Sequence, residues 1–131
     1  MTIQVVPIYA GILGLLYMTL SAYVIRNRRK RQQSIGHGGD MRFARIIRGH
    51  ANFAEYVPMV LLLLLVDELL GWPHWVLHAL GATLCAGRLL HAYSFALTER
   101  DLLRRVGGMV LTLTPMWIAA VLALTGRFVL G

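Results

Sequence analysis

Four apolar segments of membrane-spanning length constrain the fold of this chain more strongly than any other feature of its sequence. They cover approximately residues 3–25, 53–70, 75–97 and 106–130. A helix needs about 20 mostly apolar residues to cross the hydrocarbon core of a bilayer, where its backbone satisfies its own hydrogen bonds. The sequence therefore predicts an all-α fold, an integral membrane four-helix bundle that forms one domain over residues 1–131. We predict its helices over approximately residues 3–26, 41–70, 74–97 and 102–129.

The composition is typical of a membrane protein and does not favour nucleic-acid binding. Hydrophobic residues make up 57% of the chain and charged residues 15%, whereas soluble domains carry about 25% charged residues. The formal net charge is +7, but the cations cluster, above all between Arg26 and Arg31. A basic run directly after an apolar segment indicates membrane orientation and contact with anionic lipid. We therefore expect membrane lipid, and no nucleic acid, as a partner.

Cysteine and histidine side chains show no metal-site spacing. The single Cys85 lies in an apolar segment and is interpreted as a packing residue. His74 and His78 are four residues apart but lack a third ligand, so we predict no metal site. The first apolar segment has neither a basic leader nor a small-residue cleavage site, which favours a retained span over a signal peptide.

The connectors between the predicted spans indicate the orientation of the bundle. The first, RNRRKRQQSIGHGGD, is basic and Gly-rich and is predicted to be a loop, with Asp40 as N-cap of the second helix. Asp67 and Glu68 make the second connector acidic, and arginines including Arg100 make the third basic again. The positive-inside rule then places both termini outside and the two basic loops in the cytoplasm. Pro58 is expected to bend the second helix.

The second predicted helix carries a polar stripe just before its run of leucines. Four residues of RIIRGHANFAEYVP lie within a stripe about 80° wide at about 100° per residue: Arg45, Arg48, Asn52 and Glu55. Charged side chains at membrane depth are costly and usually face a protein interior or a wet cavity, so the stripe is a candidate site. In the alternative interpretation the arginines reach the headgroups while the amide and the carboxylate hold helices together.

The third predicted helix carries a facing set of residues. Arg88, His91 and Phe95 recur on one side. Arg88 and Glu55 are expected to form an ion pair, with a role that is either structural or functional. His91 is a hydrogen-bond donor to a ligand in one interpretation and a helix–helix contact in the other.

The two sets of side chains favour an anionic ligand at the cytoplasmic edge of the membrane. Arginine forks suit carboxylates, and a glutamate suits an ammonium group. Glutathione, a phospholipid headgroup and an amino acid all meet this description, and the residues alone do not select among them.

The segment RIIRGHANFAEYVP resembles the second-helix signature of the MAPEG family, membrane-associated proteins in eicosanoid and glutathione metabolism. Arg48, Asn52, Glu55, Tyr56 and Pro58 match the signature in order, with a further arginine one turn earlier. The resemblance extends to the length, the four spans and the basic loops, and is greatest to small bacterial members. It implies a homotrimer that holds glutathione, as co-substrate, between adjacent protomers near the cytosolic face of a bacterial inner membrane.

The resemblance also implies roles for individual residues. One protomer would contact glutathione through residues of its second helix, namely Arg45, Arg48, Asn52, Glu55 and Tyr56. The pocket would be completed by Arg88, His91, Phe95 and Arg105, and Arg104 would stabilise the thiolate as the catalytic residue, with Arg105 as the alternative. Phe95 stands where the related enzymes carry tyrosine, so one hydroxyl is lost.

The implied function is a membrane-bound glutathione-dependent transferase or peroxidase. An activated thiolate would attack a hydrophobic small molecule or a lipid hydroperoxide that arrives through the bilayer. The alternatives are a membrane protein that binds a lipid-like or anionic ligand without catalysis, and a structural membrane subunit.

Overall fold

A computed structural model describes residues 2–97 and 101–131. It contains the helices α1 (Val6–Arg31), α2 (Met41–Leu70), α3 (His74–Leu97) and α4 (Leu102–Leu130), with no strand in these ranges. The predicted all-α four-helix bundle is confirmed. Arg100, used above to predict orientation, lies outside the described residues.

The basic run after the first apolar segment is helical, so the prediction that it begins a loop is wrong. α1 continues through the cluster and ends at Arg31, where Gln32 adopts the left-handed conformation with φ 50°. Arginine and lysine are good helix formers, and their charges are favourable near the negative end of a helix dipole. The connector between α1 and α2 is therefore only residues 32–40.

Asp40 begins α2 as predicted. Its Oδ1 accepts hydrogen bonds from the backbone N–H groups of Arg42 and Phe43, at 2.9 and 3.1 Å. Its Oδ2 lies 2.8 Å from Arg31 Nε, which ties the end of α1 to the start of α2. The helix continues through Pro58 and ends at Gly71, whose φ of 91° requires a residue without a Cβ.

Asp67 and Glu68 are buried in the last turns of α2, so the prediction that they form an acidic connector is wrong. Glu68 instead caps α1. Its carboxylate accepts from the backbone N–H groups of Gln4, Val5 and Val6 at 2.6, 2.6 and 2.9 Å, where a negative charge complements the helix dipole. The predicted orientation consequently depends on the basic segments alone.

The apolar core lies where α1, α2 and α3 meet, and α4 packs closely on α3. Fully buried side chains include Leu13, Val60 and Leu77. A Cβ atom at Gly108 would lie 2.8 Å from His91 Cβ and 3.0 Å from the Gly87 carbonyl oxygen. Glycine is therefore required there, because the α3 and α4 backbones approach too closely for a side chain.

Two of the helices, α1 and α4, are long and apolar enough by length and composition to cross a membrane. Their outer surfaces carry exposed apolar side chains such as Leu15, Met18, Trp117 and Leu124, as expected for surfaces in contact with hydrocarbon. α2 and α3, by contrast, bury several polar side chains inside the bundle, namely Asn52, Asp67, Glu68, Arg88, His91 and Ser94.

Candidate functional site

The polar stripe of α2 separates into an inner and an outer edge. Asn52 is 8% exposed and faces the interior of the bundle. The side chains of Arg48 and Glu55 are 61% and 46% exposed and face outward. Residues seven apart lie almost directly above one another on a helix, so these two charges share the outer edge two turns apart.

On that outer edge Arg48 and Glu55 form an ion pair. Arg48 Nη1 donates to Glu55 Oε1 at 3.0 Å and Nη2 to Oε2 at 3.4 Å, in a fork-to-fork arrangement. The predicted pair between Glu55 and Arg88 is therefore wrong. The two residues point away from each other, since Glu55 faces outward and Arg88 is 0% exposed inside the bundle.

Arg88 is the centre of a buried polar cluster that links α2, α3 and α4. Its Nη1 donates to Asn52 Oδ1 at 3.0 Å and to Thr112 Oγ1 at 3.4 Å. Its guanidinium carbon also lies 5.2 Å from the centre of the Phe53 ring. Neutral acceptors and an aromatic face therefore solvate this buried cation, and none of the ion pairs among the described residues includes it.

The contact between Arg88 and His91 determines which histidine nitrogen carries the hydrogen. Arg88 Nη2 lies 3.2 Å from His91 Nδ1. A guanidinium can only donate, so Nδ1 must accept, and the hydrogen of a neutral imidazole is then on Nε2. This leaves Nε2–H as a donor, and the predicted role of His91 as a hydrogen-bond donor to a ligand stays a prediction.

Thr112 is a member of this cluster that the sequence interpretation missed. Its hydroxyl donates to the Gly108 carbonyl at 2.7 Å, which directs an oxygen lone pair toward Arg88. A threonine in an apolar helix commonly makes this bond to the preceding turn. Thr112 is buried beside the charge of Arg88 because α3 and α4 approach each other closely. The Gly107–Gly108 pair was the feature of the sequence that could have indicated this close approach.

The start of α4 holds two arginines in different environments. Arg104 Nε lies 3.0 Å from Asp101 Oδ2, and its guanidinium carbon lies 5.1 Å from the centre of the Tyr93 ring. Arg105 lies over Phe95 at 4.7 Å, with Nε and one terminal nitrogen buried and without a hydrogen-bond partner in the described part of the chain. Arg104 is thus tied to an acid on the outside, whereas Arg105 presents unused donors.

Phe95 connects Arg105 to the buried cluster. Its ring centre lies 4.5 Å from that of His91. A Cβ atom at Gly49 would lie 2.8 Å from Phe95 Cβ, so the ring packs against the bare backbone of α2. Phe95, which stands where the related enzymes carry tyrosine, therefore forms a tight contact between α2 and α3.

The predicted site residues, together with Thr112, form three neighbouring groups within the chain. The outer pair is Arg48 and Glu55, and the buried cluster is Asn52, Arg88, His91 and Thr112. The third group is the α4 arginines on their aromatic supports. Arg45 and Tyr56 are partly exposed on α2. No three His, Cys, Asp or Glu side chains among residues 2–97 and 101–131 are placed to hold a metal ion.

Comparisons with known proteins agree with this architecture. The model of the MAPEG family matches residues 6–125. The chain is 38% identical over 92 residues to the inner membrane protein YecN of Escherichia coli strain K12, an alignment that covers 70% of each chain. The YecN protein of Escherichia coli strain O6:H1 matches with the same identity and coverage. The match spans most of the chain, including all the residues of the candidate site, and the chain therefore belongs to the MAPEG family.

Proposed function

We propose that this protein is a membrane-bound glutathione-dependent transferase or peroxidase whose site forms between the protomers of a homotrimer. The observation that carries the proposal is the Arg48–Glu55 ion pair, which lies exposed on the flank of α2 directly before its leucine run. A charged pair at that position requires cover from lipid. A neighbouring protomer with a polar ligand between the two surfaces would provide it.

The outer pair suits the zwitterionic end of glutathione. The ligand carboxylate would pair with Arg48 and the ligand ammonium with Glu55. The single ion pair within the protein would thus be replaced by two ion pairs between protein and ligand. Arg45 and Tyr56 flank this pair on α2 and offer further donors. The ligand would thereby be fixed at one end before its thiol reaches the reactive position.

Thiol activation is assigned to Arg104, with Arg105 as the alternative. A free thiol has a pKa near 8.5, so only a few per cent is thiolate at neutral pH. Arginine cannot act as the base, because it stays protonated, but its charge stabilises the thiolate. Arg104 would exchange part of its contact with Asp101 for the sulfur, whereas Arg105 already holds free donors beside Phe95.

The thiolate would then react with a lipophilic partner. In the transfer reaction a carbon–sulfur bond forms and the leaving group departs with its electron pair. In the peroxidase reaction the thiolate attacks the terminal oxygen of the hydroperoxide and breaks its O–O bond, giving a sulfenic acid and an alkoxide. The alkoxide takes a proton from water and leaves as the alcohol. A second glutathione then reduces the sulfenic acid, forming glutathione disulfide and water.

We place the protein in the bacterial inner membrane as a multi-pass protein, with both termini outside and the site toward the cytoplasm. The relatives named above are inner membrane proteins, and the basic end of α1 and the arginine-bearing start of α4 are at the same end of the bundle as Arg48. A reporter fused at Gly131 should behave as periplasmic.

Glutathione binding to the purified full-length protein tests the proposal. Arg48→Gln should weaken binding at least tenfold, because it removes the partner of the ligand carboxylate. Arg29→Gln, an equal loss of charge on the exposed side of α1, is the matched control and should leave binding unchanged. Equal effects of the two variants, or the absence of saturable binding, would reject the proposed site.

Subunit mixing tests whether the site is shared. Co-assembled Arg48→Gln and Arg104→Ala subunits should recover part of the activity, since some interfaces would pair two intact halves. No recovery despite proven co-assembly would place the site within one chain.

A second candidate is a MAPEG protein that binds a lipid-like or anionic ligand without catalysis. The contact between Arg104 and Asp101 favours it, because a neutralised arginine is a weaker thiolate partner. This candidate predicts glutathione or lipid binding without any thiolate signal.

A further inference from the structure

One face of α1 changes from apolar to basic along its length. Its apolar half consists of Leu16, Thr19, Leu20 and Tyr23, and its polar half of Arg26, Asn27, Lys30 and Arg31. These residues recur every three or four positions, so they lie along a single stripe of the helix. The stripe is separate from the glutathione site proposed on α2.

The polar half of the stripe lines a cleft of about 260 Å³. The cleft lies between the end of α1 and the start of α2 and is lined by Tyr23, Arg26, Asn27, Lys30, Arg31 and Arg42. Four of these six side chains are cationic. Such a concentration of charge is unfavourable unless an acid or an anionic ligand lies among the cations.

Both carboxylate oxygens of the nearby acid, Asp40, already have hydrogen-bond partners. One of its oxygens accepts from the first N–H groups of α2 and the other from Arg31 Nε. Arg31 is further held by Asn27 Oδ1 and lies 5.0 Å from the centre of the Phe43 ring. The guanidinium of Arg31 is therefore held in place at one side of the cleft, and its charge is partly neutralised by Asp40.

The other cations of the cleft have no acidic partner among residues 2–97 and 101–131. Arg26, Lys30 and Arg42 belong to none of the ion pairs formed there. Arg26 and Lys30 are four residues apart on one helix face, and like charges at that spacing destabilise a helix. An anion bound in the cleft would convert this repulsion into attraction.

The apolar half of the stripe lines a groove of about 480 Å³ between α1 and α3. The groove is lined by Leu16, Thr19, Leu20, Tyr23, Leu89, Ala92, Tyr93 and Ala96. Tyr23 belongs to both the groove and the cleft, and its hydroxyl donates to the Ala96 carbonyl at 3.4 Å. The basic cleft and the apolar groove therefore meet at one side chain.

We propose that the cleft and the groove together bind one anionic phospholipid. Its phosphate lies among Arg26, Lys30 and Arg42, and an acyl chain follows the apolar half of the stripe. A soluble phosphate offers the same charge but would leave the groove unfilled, so the continuity at Tyr23 favours the lipid. This site does not depend on glutathione binding or catalysis.

Native mass spectrometry of the full-length protein in a neutral detergent tests the headgroup end. We expect phosphatidylglycerol to bind with defined stoichiometry, phosphatidylcholine to bind at least fivefold more weakly, and inorganic phosphate to compete only at much higher concentration. Lys30→Gln should weaken phosphatidylglycerol binding about fivefold, the usual effect of one basic residue near anionic lipid. Arg29→Gln is the matched control, an equal charge loss at the neighbouring residue outside the cleft, and should have no effect.

The groove is tested by a second pair of variants. Thr19→Trp fills the groove and should weaken phosphatidylglycerol binding, while Met18→Trp, on the adjacent exposed face, should not. Equal binding of the two lipids would show that charge is not recognised, and inorganic phosphate of equal affinity would assign the cleft to soluble anions. Either result overturns the proposal. It is also overturned if Lys30→Gln and Arg29→Gln have equal effects, if Thr19→Trp binds phosphatidylglycerol as tightly as the wild-type protein, or if no lipid is bound.

Discussion

Asn52 Oδ1 accepts a hydrogen bond from Arg88 Nη1 at 3.0 Å inside the bundle, while Glu55, one turn further along α2, faces outward to Arg48. The polar residues of α2 thus have two roles. The amide helps to solvate a buried cation, and the carboxylate stays available at the surface. This division decides which substitutions should affect the fold and which should affect only the ligand.

Asn52→Leu should therefore destabilise the protein more than Glu55→Gln. The first change removes an acceptor from fully buried Arg88, at a cost of about 1–3 kcal/mol. The second breaks an exposed ion pair and should change the free energy of unfolding by less than about 1 kcal/mol. Reversible unfolding in detergent, followed by helical circular dichroism, measures both, and the reverse order would contradict the assigned roles.

Glu68 and Asp67 are adjacent acids with opposite expected effects. Glu68→Gln weakens the cap on the first N–H groups of α1 and should cost about 1 kcal/mol. Both Asp67 carboxylate oxygens are buried without a partner among the described residues, so Asp67→Asn should be neutral or stabilising. Melting temperatures of the two variants in one detergent provide the comparison. A larger loss for Asp67→Asn would indicate that Asp67 has an essential partner.

Two neighbouring glycines of α4 offer a matched test of helix packing. A Cβ at Gly108 would lie 2.8 Å from His91 Cβ, whereas at Gly107 the nearest atom is Leu90 Cδ2 at 3.5 Å. Gly108→Ala should separate α3 from α4 and lower stability by about 1–3 kcal/mol. Gly107→Ala should be neutral or stabilising by up to about 1 kcal/mol, since alanine favours helix. Equal melting temperatures would show that the helices do not approach as closely as described.

Asp40 makes the junction between α1 and α2 sensitive to acid. The hydrogen bond from Arg31 and the N–H of Phe43 hold the pKa of Asp40 below its ordinary value of 3.8. A lowered folded-state pKa contributes stability that is present above the unfolded pKa and is lost as pH falls through the folded value. Asp40→Asn keeps an N-cap residue but should lose this pH-dependent contribution, leaving a flatter dependence of melting temperature on pH below about pH 4. The same slope in both proteins would contradict the assignment.

Hydropathy was sufficient to predict the four helices, and Asp40 was identifiable as an N-cap because its role depends on local backbone geometry. The end of α1 was predicted too early because its run of basic residues was interpreted as a loop, although arginine and lysine are compatible with a helix. Glu68 was missed for a different reason. Its partners lie more than sixty residues away in the sequence, and no local pattern records such a contact.

The sequence identified which residues belong to the candidate site better than it identified which of them contact each other. Spacing correctly placed Arg48, Asn52 and Glu55 on one side of α2, but a stripe about 80° wide has two edges. Which edge turns inward depends on how α3 and α4 pack, and spacing does not contain that information. The partner of Arg88 was consequently assigned to Glu55 instead of Asn52 and Thr112.

The ultraviolet absorbance of bound glutathione thiolate, followed as pH is varied, tests the central claim most directly. The wild-type protein should form thiolate at neutral pH. Arg104→Ala should still bind glutathione but require higher pH to form it, with a loss of about 2–4 kcal/mol in the rate-limiting state. Arg105→Ala, an equal charge loss at the neighbouring residue, should shift the titration less. A titration unchanged by Arg104→Ala, or shifted only by Arg105→Ala, would contradict the role of Arg104, and no thiolate in the wild-type protein would contradict the proposed enzyme itself.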